Sequence, residues 1–493
     1  MSSSLCKGCF MSMQPSTRIL RSPTAARVAS FHTSSLRAAM PNQKKNASRD
    51  SGPKFRERRS VLIPRKAINR KPPMQEGELR AQRERIVLGN ANALAVPTLK
   101  DLSVQNMADR AMRGKMLSLP MELLDRLKNT KAFKTTQKWG LFLRPATMMR
   151  EETIELGREM NEIMETKKPA VKIITGSKGS GKSIMLTQAM AMAYLKDWIV
   201  ISIPEAQDLV NGHTAYAPIN DGQSIKYTQK DATAAMLHRI AFSNAPVLQK
   251  LHVSQKHPAL RTLAPDANLQ TLAFMGIDEP VSSWTVFQAL WSELTATAPA
   301  EGIEGMKDFT PRPPILMTAD NVAHFMKETQ YRSADFKPIH AHDLTLVDFY
   351  LKAMKSATET STLPNGGLVL LSTSSSNTPN VESFNVLLSQ IDAANKGVDP
   401  TSADFPQINP YSIEDQRVLS LLNSCSKSKI LNLKGLTKQE AKSLLEYYAF
   451  SGLLREKVDP LSVSEKWTLS GGGIIGELEK LSLRLKTAPR VAH

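Results

Sequence analysis

Residues 176–183 read GSKGSGKS, three glycines followed by a lysine and a serine at the spacing G-x-x-x-x-G-K-[ST]. That set of residue types suits phosphate chemistry. Gly176, Gly179 and Gly181 let the backbone turn its N–H groups inward around phosphate oxygens. Lys182 reaches the β- and γ-phosphates, and the Ser183 hydroxyl can ligate Mg²⁺. A magnesium site also needs an acidic residue from elsewhere in the chain, and two segments offer one: FMGIDEP with Asp278 and Glu279, and PPILMTADN with Asp320. Asp320 is the better choice. It ends a longer apolar run (Ile315, Leu316, Met317, Ala319) preceded by Pro313 and Pro314, whereas Gly276 and Pro280 break the other run within five residues. The residue after Asp320 is Asn321, at a position where hydrolases of this design carry a glutamate. Asparagine can orient a water but cannot take its proton. The binding half of the machinery is therefore complete, while the hydrolytic half lacks its base. An active hydrolase would have to recruit another carboxylate, for which Glu279 is the best candidate.

A phosphate loop works only between a strand and a helix. Val171, Ile173 and Ile174 supply a short buried β-run before it, and Met185, Ala189 and Met192 recur at helical spacing after it. The positive end of that helix faces the same phosphates. Ile199–Ile203 reads as a second buried strand, and Leu368–Leu371 as another, ending in Ser372 and Thr373 where a residue sensing the γ-phosphate would sit. The pattern predicts an α/β fold, a P-loop NTPase-like parallel sheet flanked by helices, over residues 169–380. Residues 76–168 carry apolar positions at mixed 3 and 4 spacing and read as a helical extension without chemistry. A linker is expected over 381–405, and a small helical or winged-helix lid over 406–493. In that lid Thr437 and Glu440 form a capping box, and Ala441, Leu444, Leu445 and Tyr448 mark a buried face before the helix stop at Gly452. A second stripe runs through Ile475, Leu478, Leu481 and Leu485. NKGVD at 395–399 imitates a guanine-reading N-K-x-D, but Asp399 falls one residue late and the match is set aside.

At 493 residues and 41% apolar content the chain can build more than one core, and no run of about 18 apolar residues suggests a membrane span. Its three cysteines, Cys6, Cys9 and Cys425, cannot complete a zinc tetrahedron or a disulfide framework. The formal net charge of +18 is concentrated at one end. Sixteen basic residues, against only Asp50 and Glu57, fall in the first 75 positions. Residues 1–38 are Ser-rich, Arg-dotted and free of acid, the composition of a mitochondrial transit peptide, which points to the matrix. Residues 39–75 read as a basic disordered arm of the kind that orders against RNA phosphates.

Five segments, GSKGSGKS, DWIVISIPEA, ILMTADNVAHF, GGLVLLSTSSS and LTKQEAKSLLEYYAFSGLLRE, together resemble the death-associated protein 3 family of mitochondrial small-ribosomal-subunit proteins. The resemblance runs from about residue 135 to the C-terminus, and its most specific part is the phosphate loop followed by Asp197-Trp198 and Ile203-Pro204. It implies an AAA+- or STAND-like P-loop fold placed in the head of the small subunit near the large-subunit contact. Small-subunit rRNA and other mitoribosomal proteins would be its partners, with no membrane insertion. It also implies bound GTP or GDP with Mg²⁺; ATP is the alternative, because the guanine preference comes from the resemblance alone. Carried over to matching positions, Gly176, Ser177, Lys178, Gly179, Ser180, Gly181, Lys182 and Ser183 hold the phosphates, and Ser183 with Asp320 holds the metal. No residue is assigned to catalysis. Other members carry a glycine where Asn321 stands, and neither residue is a catalytic glutamate. The expectation is a structural, non-enzymatic ribosomal protein. The competing reading is an active mitochondrial P-loop NTPase acting as a signalling or chaperone-like switch.

Overall fold

Three runs in the chain, 199–203, 315–320 and 367–372, leave almost no polar face, as strands covered on both sides must. The computed structural model describes residues 86–220, 224–264, 266–300, 309–355, 362–376, 378–407, 409, 411, 415–421 and 428–483. The expected transit peptide (1–38) and basic arm (39–75), the three cysteines and Leu485 lie outside them.

In chain order, β1 (Lys100–Asp101), β2 (Met116–Ser118), α1 (Met121–Asn129), β3 (Ala146–Met148) and α2 (Glu151–Thr166) precede the phosphate loop. Then come β4 (Ala170–Gly176), α3 (Lys182–Leu195), β5 (Ile199–Ile203) and the hairpin β6–β7 (Ala217–Asn220 and Ile225–Thr228). Helices α4 (Lys230–Ser243), α5 (Leu269–Asp278) and α6 (Ser283–Thr295) lead to β8 (Ile315–Asp320). A second hairpin, β9–β10 (Glu328–Arg332 and Pro338–His340), is followed by α7 (Thr345–Lys355), β11 (Gly367–Ser372) and α8 (Glu382–Asn395). The chain continues through β12 (Lys429–Leu433), α9 (Lys438–Phe450), α10 (Pro460–Leu469) and α11 (Ile475–Ser482).

The main sheet is all-parallel in the order β12-β4-β11-β8-β5. Side chains alternate across it with period two. Val171, Ile173, Ile315, Met317, Val369 and Leu371 enter the core shared with α4–α8. Ile174, Leu316, Leu368 and Leu370 enter the opposite core, shared with α1, α2 and α3. Asp320 has the parity of Leu316, so it points to the side of the sheet that carries α3. Register then aligns the strand ends: Ser372 pairs with both Asp320 and Ile174, and Leu433 pairs with Gly176. Four carboxyl ends thus converge at one edge, the usual ligand position of a parallel sheet.

The observed elements differ from expectation in three places. The described part of 76–168 holds only two long helices, α1 and α2; Gly114 and Pro120 interrupt the apolar pattern before α1, and Met116–Ser118 pairs as a strand with β3 instead. Residues 381–405 contain α8, which buries Phe384, Leu387 and Ile391, so this stretch is not a linker. The C-terminal part is no separate winged helix either. Its first strand, β12, joins the main sheet beside β4, and the elements described after it are helices. Those helices make a third core in which Leu436, Ala441, Leu444, Leu445 and Leu478 meet Met148 of β3, with Leu141 and Phe142 packed against it.

A candidate phosphate and metal site at the sheet edge

The loop 176–181 leaves β4 and enters α3 with positive φ at Gly176, Gly179 and Gly181. At Gly176 (φ +138°) a Cβ would lie 2.5 Å from the Leu433 carbonyl oxygen, so any other residue would push β12 away. Lys182 Nζ donates to the carbonyls of Gly176 (2.7 Å) and Ser177 (2.8 Å), folding the side chain over the loop. Burial lowers the Lys182 pKa below its ordinary value, and the nearby Asp320 offsets only part of that. The Ser180 hydroxyl is buried and, among the described residues, has no hydrogen-bond partner. Ser183 Oγ donates to Asp320 Oδ2 at 2.7 Å, and Ser372 Oγ donates to Asp320 Oδ1. The structure therefore brings the phosphate-loop residues and Asp320 together. Ser372 orients the acid rather than facing open space, while Thr373 donates to the Ile174 carbonyl at 3.2 Å and lines the cleft.

The rival acidic segment sits elsewhere. FMGIDEP is the end of helix α5, not a strand; Glu279 follows it, exposed, and neither it nor Asp278 lines the cleft. Asp399 is an exposed turn residue bonded to Thr401. Asn321 has φ +64°, the left-handed region that glycine and asparagine tolerate best. A glycine-to-asparagine exchange at this position is thus a backbone match. Asn321 Nδ2 donates to Glu205 Oε1 at 3.1 Å, and Thr378 Oγ1 donates to Asn321 Oδ1 at 3.0 Å.

Three residues of the site carry no motif. Glu205 follows β5 at the same sheet edge, where the strand-end rule could have drawn attention to it. Lys134, from the loop after α1, lies in hydrogen-bond contact with Asp320 Oδ2 and 3.2 Å from Glu205 Oε2. Burial works against the Lys134 charge, yet Asp320 and Glu205 outweigh it and hold the ammonium above its ordinary pKa. Arg150, also buried, donates from Nη1 to the Ser180 carbonyl (3.0 Å) and from Nη2 to the Lys434 carbonyl (2.7 Å). It ties the phosphate loop to the end of β12.

From the loop a cleft of about 570 Å³ extends toward an apolar wall that includes Met148, Leu444 and Tyr448. Phe142 and Tyr447 stack there with centroids 5.0 Å apart at 26°. On its far side the Gly476 N–H at the start of α11 donates to the Gly179 carbonyl at 2.9 Å. A glycine-rich loop at a helix start, an orphaned buried hydroxyl, a lysine and a Ser–Asp pair form a set that fits a nucleotide phosphate with a divalent cation.

The family model described as mitochondrial ribosomal death-associated protein 3 matches residues 147–481. The small ribosomal subunit protein mS29 of Neurospora crassa is 38% identical over 456 residues, spanning 92% of each chain. The protein of the same name from Schizosaccharomyces pombe is 26% identical over 370 residues, 73% of this chain and 69% of that one. Among solved structures, a STAND protein with a tetratricopeptide repeat sensor from Pyrococcus horikoshii covers 64% of this chain and 28% of its own, at 11% identity and a TM-score of 0.25. That overlap is too loose to argue from.

Proposed function

Because the chain belongs to the mitochondrial ribosomal death-associated protein 3 family, we infer that it is a structural component of the mitochondrial small ribosomal subunit, resident in the matrix, and that it holds a guanine nucleotide within its fold. Its partners on this reading are the small-subunit rRNA and neighbouring mitoribosomal proteins, including contacts toward the large subunit. The observation that carries the nucleotide part is the 2.7 Å contact of Ser183 with Asp320 at the mouth of the phosphate loop. Gly176–Ser183 would cradle the phosphates, and Ser183 and Asp320 would hold Mg²⁺, which when bound neutralises phosphate charge. The apolar wall around Phe142 and Tyr447 suits a base. Beside it the Glu479 carboxylate and Lys138 ammonium, 3.2 Å apart, supply the acceptor and donor that a guanine edge requires.

Turnover is not part of this reading. Asn321 cannot serve as a base, and both oxygens of Glu205 are engaged, one by Asn321 and one by Lys134. The test is to denature the purified protein and identify what it releases. One guanine nucleotide per chain, with no phosphate release over hours, is the expected result. A protein that carries no nucleotide and binds neither GDP nor ATP on titration would sink the nucleotide assignment. Sedimentation away from small-subunit rRNA in a magnesium-containing gradient would sink the ribosomal one.

A further inference from the structure

Asp320 is almost fully buried, and a buried carboxylate needs a cation. Its Oδ1 is taken by Ser372 and its Oδ2 by two donors at once, Ser183 Oγ and Lys134 Nζ. The Lys134 ammonium therefore lies on the same oxygen, beside the same serine, that a divalent cation would use. Its position is not accidental to a floppy side chain. The Lys134 N–H donates to Gln137 Oε1 at 2.8 Å, and Thr187 Oγ1 of α3 donates to the Ala132 carbonyl at 3.1 Å. Phe133 is buried against Trp139, with ring centroids 5.4 Å apart. The loop is pinned on both sides of the lysine, and Glu205 holds the ammonium from a second direction.

We propose that Lys134 is a tethered cation of this site, competing with the divalent metal for Asp320 and so setting how much metal nucleotide binding requires. The proposal rests on the nucleotide reading above and adds to it a residue outside the phosphate-loop motif. The physical reason is that two cations within a few ångströms of one carboxylate oxygen repel strongly in a partly buried setting. The metal must displace the ammonium, whereas a neutral side chain of similar length offers no competition.

The test uses the full chain and a fluorescent GDP analogue, titrated at a series of Mg²⁺ concentrations. In Lys134→Met the Mg²⁺ concentration giving half-maximal binding should fall about tenfold or more, because the unit charge that opposes the metal at Asp320 is gone. Lys134→Arg, which keeps the charge, should retain the wild-type midpoint. An unchanged or raised midpoint in Lys134→Met overturns the proposal, since a merely structural lysine would not improve metal use when removed. A second readout covers a variant that fails to fold, or a wild-type chain that binds no analogue and so fails the nucleotide reading instead. Mg²⁺ alone should raise amine-reactive labelling of Lys134 in the wild-type chain several-fold, scored by peptide mass spectrometry. Labelling indifferent to Mg²⁺ overturns the assignment.

Discussion

Ser180 is buried in the phosphate loop and, among the described residues, its hydroxyl has no hydrogen-bond partner, an arrangement that costs stability until a ligand oxygen completes it. Ser180→Ala should therefore leave the unfolding free energy of the nucleotide-stripped protein unchanged, or raise it by up to about 1 kcal/mol. The same variant should weaken GDP binding. Lys182 behaves differently because it makes contacts in both conditions: it now folds onto the Gly176 and Ser177 carbonyls. Lys182→Ala should lose about 1.5–3 kcal/mol of charge-assisted bonding to phosphate, a ten- to hundredfold weaker affinity by calorimetry. Undiminished nucleotide occupancy in that variant would remove the loop from the binding site. At Asn321 the backbone decides what is tolerated. Asn321→Gly should be close to neutral, whereas Asn321→Glu forces a side chain into the left-handed region at about 1–2 kcal/mol. It should also sever the amide contact with Glu205 and gain no turnover, as a phosphate-release assay would show.

Helix α11 meets the phosphate loop through a close backbone approach at Gly476, with the Ile474 and Ile475 side chains beside it. A Cβ on Gly476 would lie 3.1 Å from the Gly179 Cα, tighter than an ordinary contact, so the helix start comes this close to the loop tip because Gly476 lacks a side chain. Gly476→Val should lift α11 from the loop at a cost of about 1–3 kcal/mol, speeding nucleotide release roughly tenfold in a stopped-flow chase. Release at the wild-type rate would mean that α11 does not cover the ligand. A second element contact is a clamp on α6 remote from the cleft. The fully buried Glu293 accepts hydrogen bonds from Ser254, Gln255, His257 and Arg312, joining α6 to two irregular segments. Burial raises its pKa, but the donated bonds outweigh that and hold it below the ordinary 4.5. A lowered pKa contributes stability that is full at neutral pH and is lost as pH falls below about the ordinary carboxylate range. Glu293→Gln should cost about 3–5 kcal/mol at pH 7 and flatten the acid limb of stability, read from urea midpoints between about pH 6 and pH 2, which spans the loss from the ordinary carboxylate value downward.

Across the whole molecule, the parts legible in the sequence are those fixed by short-range physics. Largely apolar runs identify β5, β8 and β11, Val171, Ile173 and Ile174 mark β4, and the phosphate loop follows from its glycine spacing. Asp320 could be preferred to Asp278 because only its run can cross a buried sheet. Strand β12 escapes such reasoning: KILNL is short and half exposed, and only pairing with β4 makes it a strand. Lys134 and Arg150 escape it for a related reason, since each acquires a role solely through where α1, β3 and α2 pack. The cleft is consequently lined mainly by three blocks distant in sequence: 134–153, the phosphate loop with the start of α3, and 433–480, with 373–376 beside the loop. A ligand that touches all three must stabilise them as one unit. GDP and Mg²⁺ at about 1,000 times the dissociation constant should add about 4 kcal/mol to the folded state. If the nucleotide bridges the cleft, that gain is shared, and hydrogen exchange should slow together in β2–β3, α3 and α9 when ligand is added. In Lys182→Ala all three should lose that protection together. Slowing confined to α3, with α9 unaffected, would mean that the C-terminal helices pack beside the ligand without being held by it. The nucleotide would then be a support for the sheet rather than the joint of the fold.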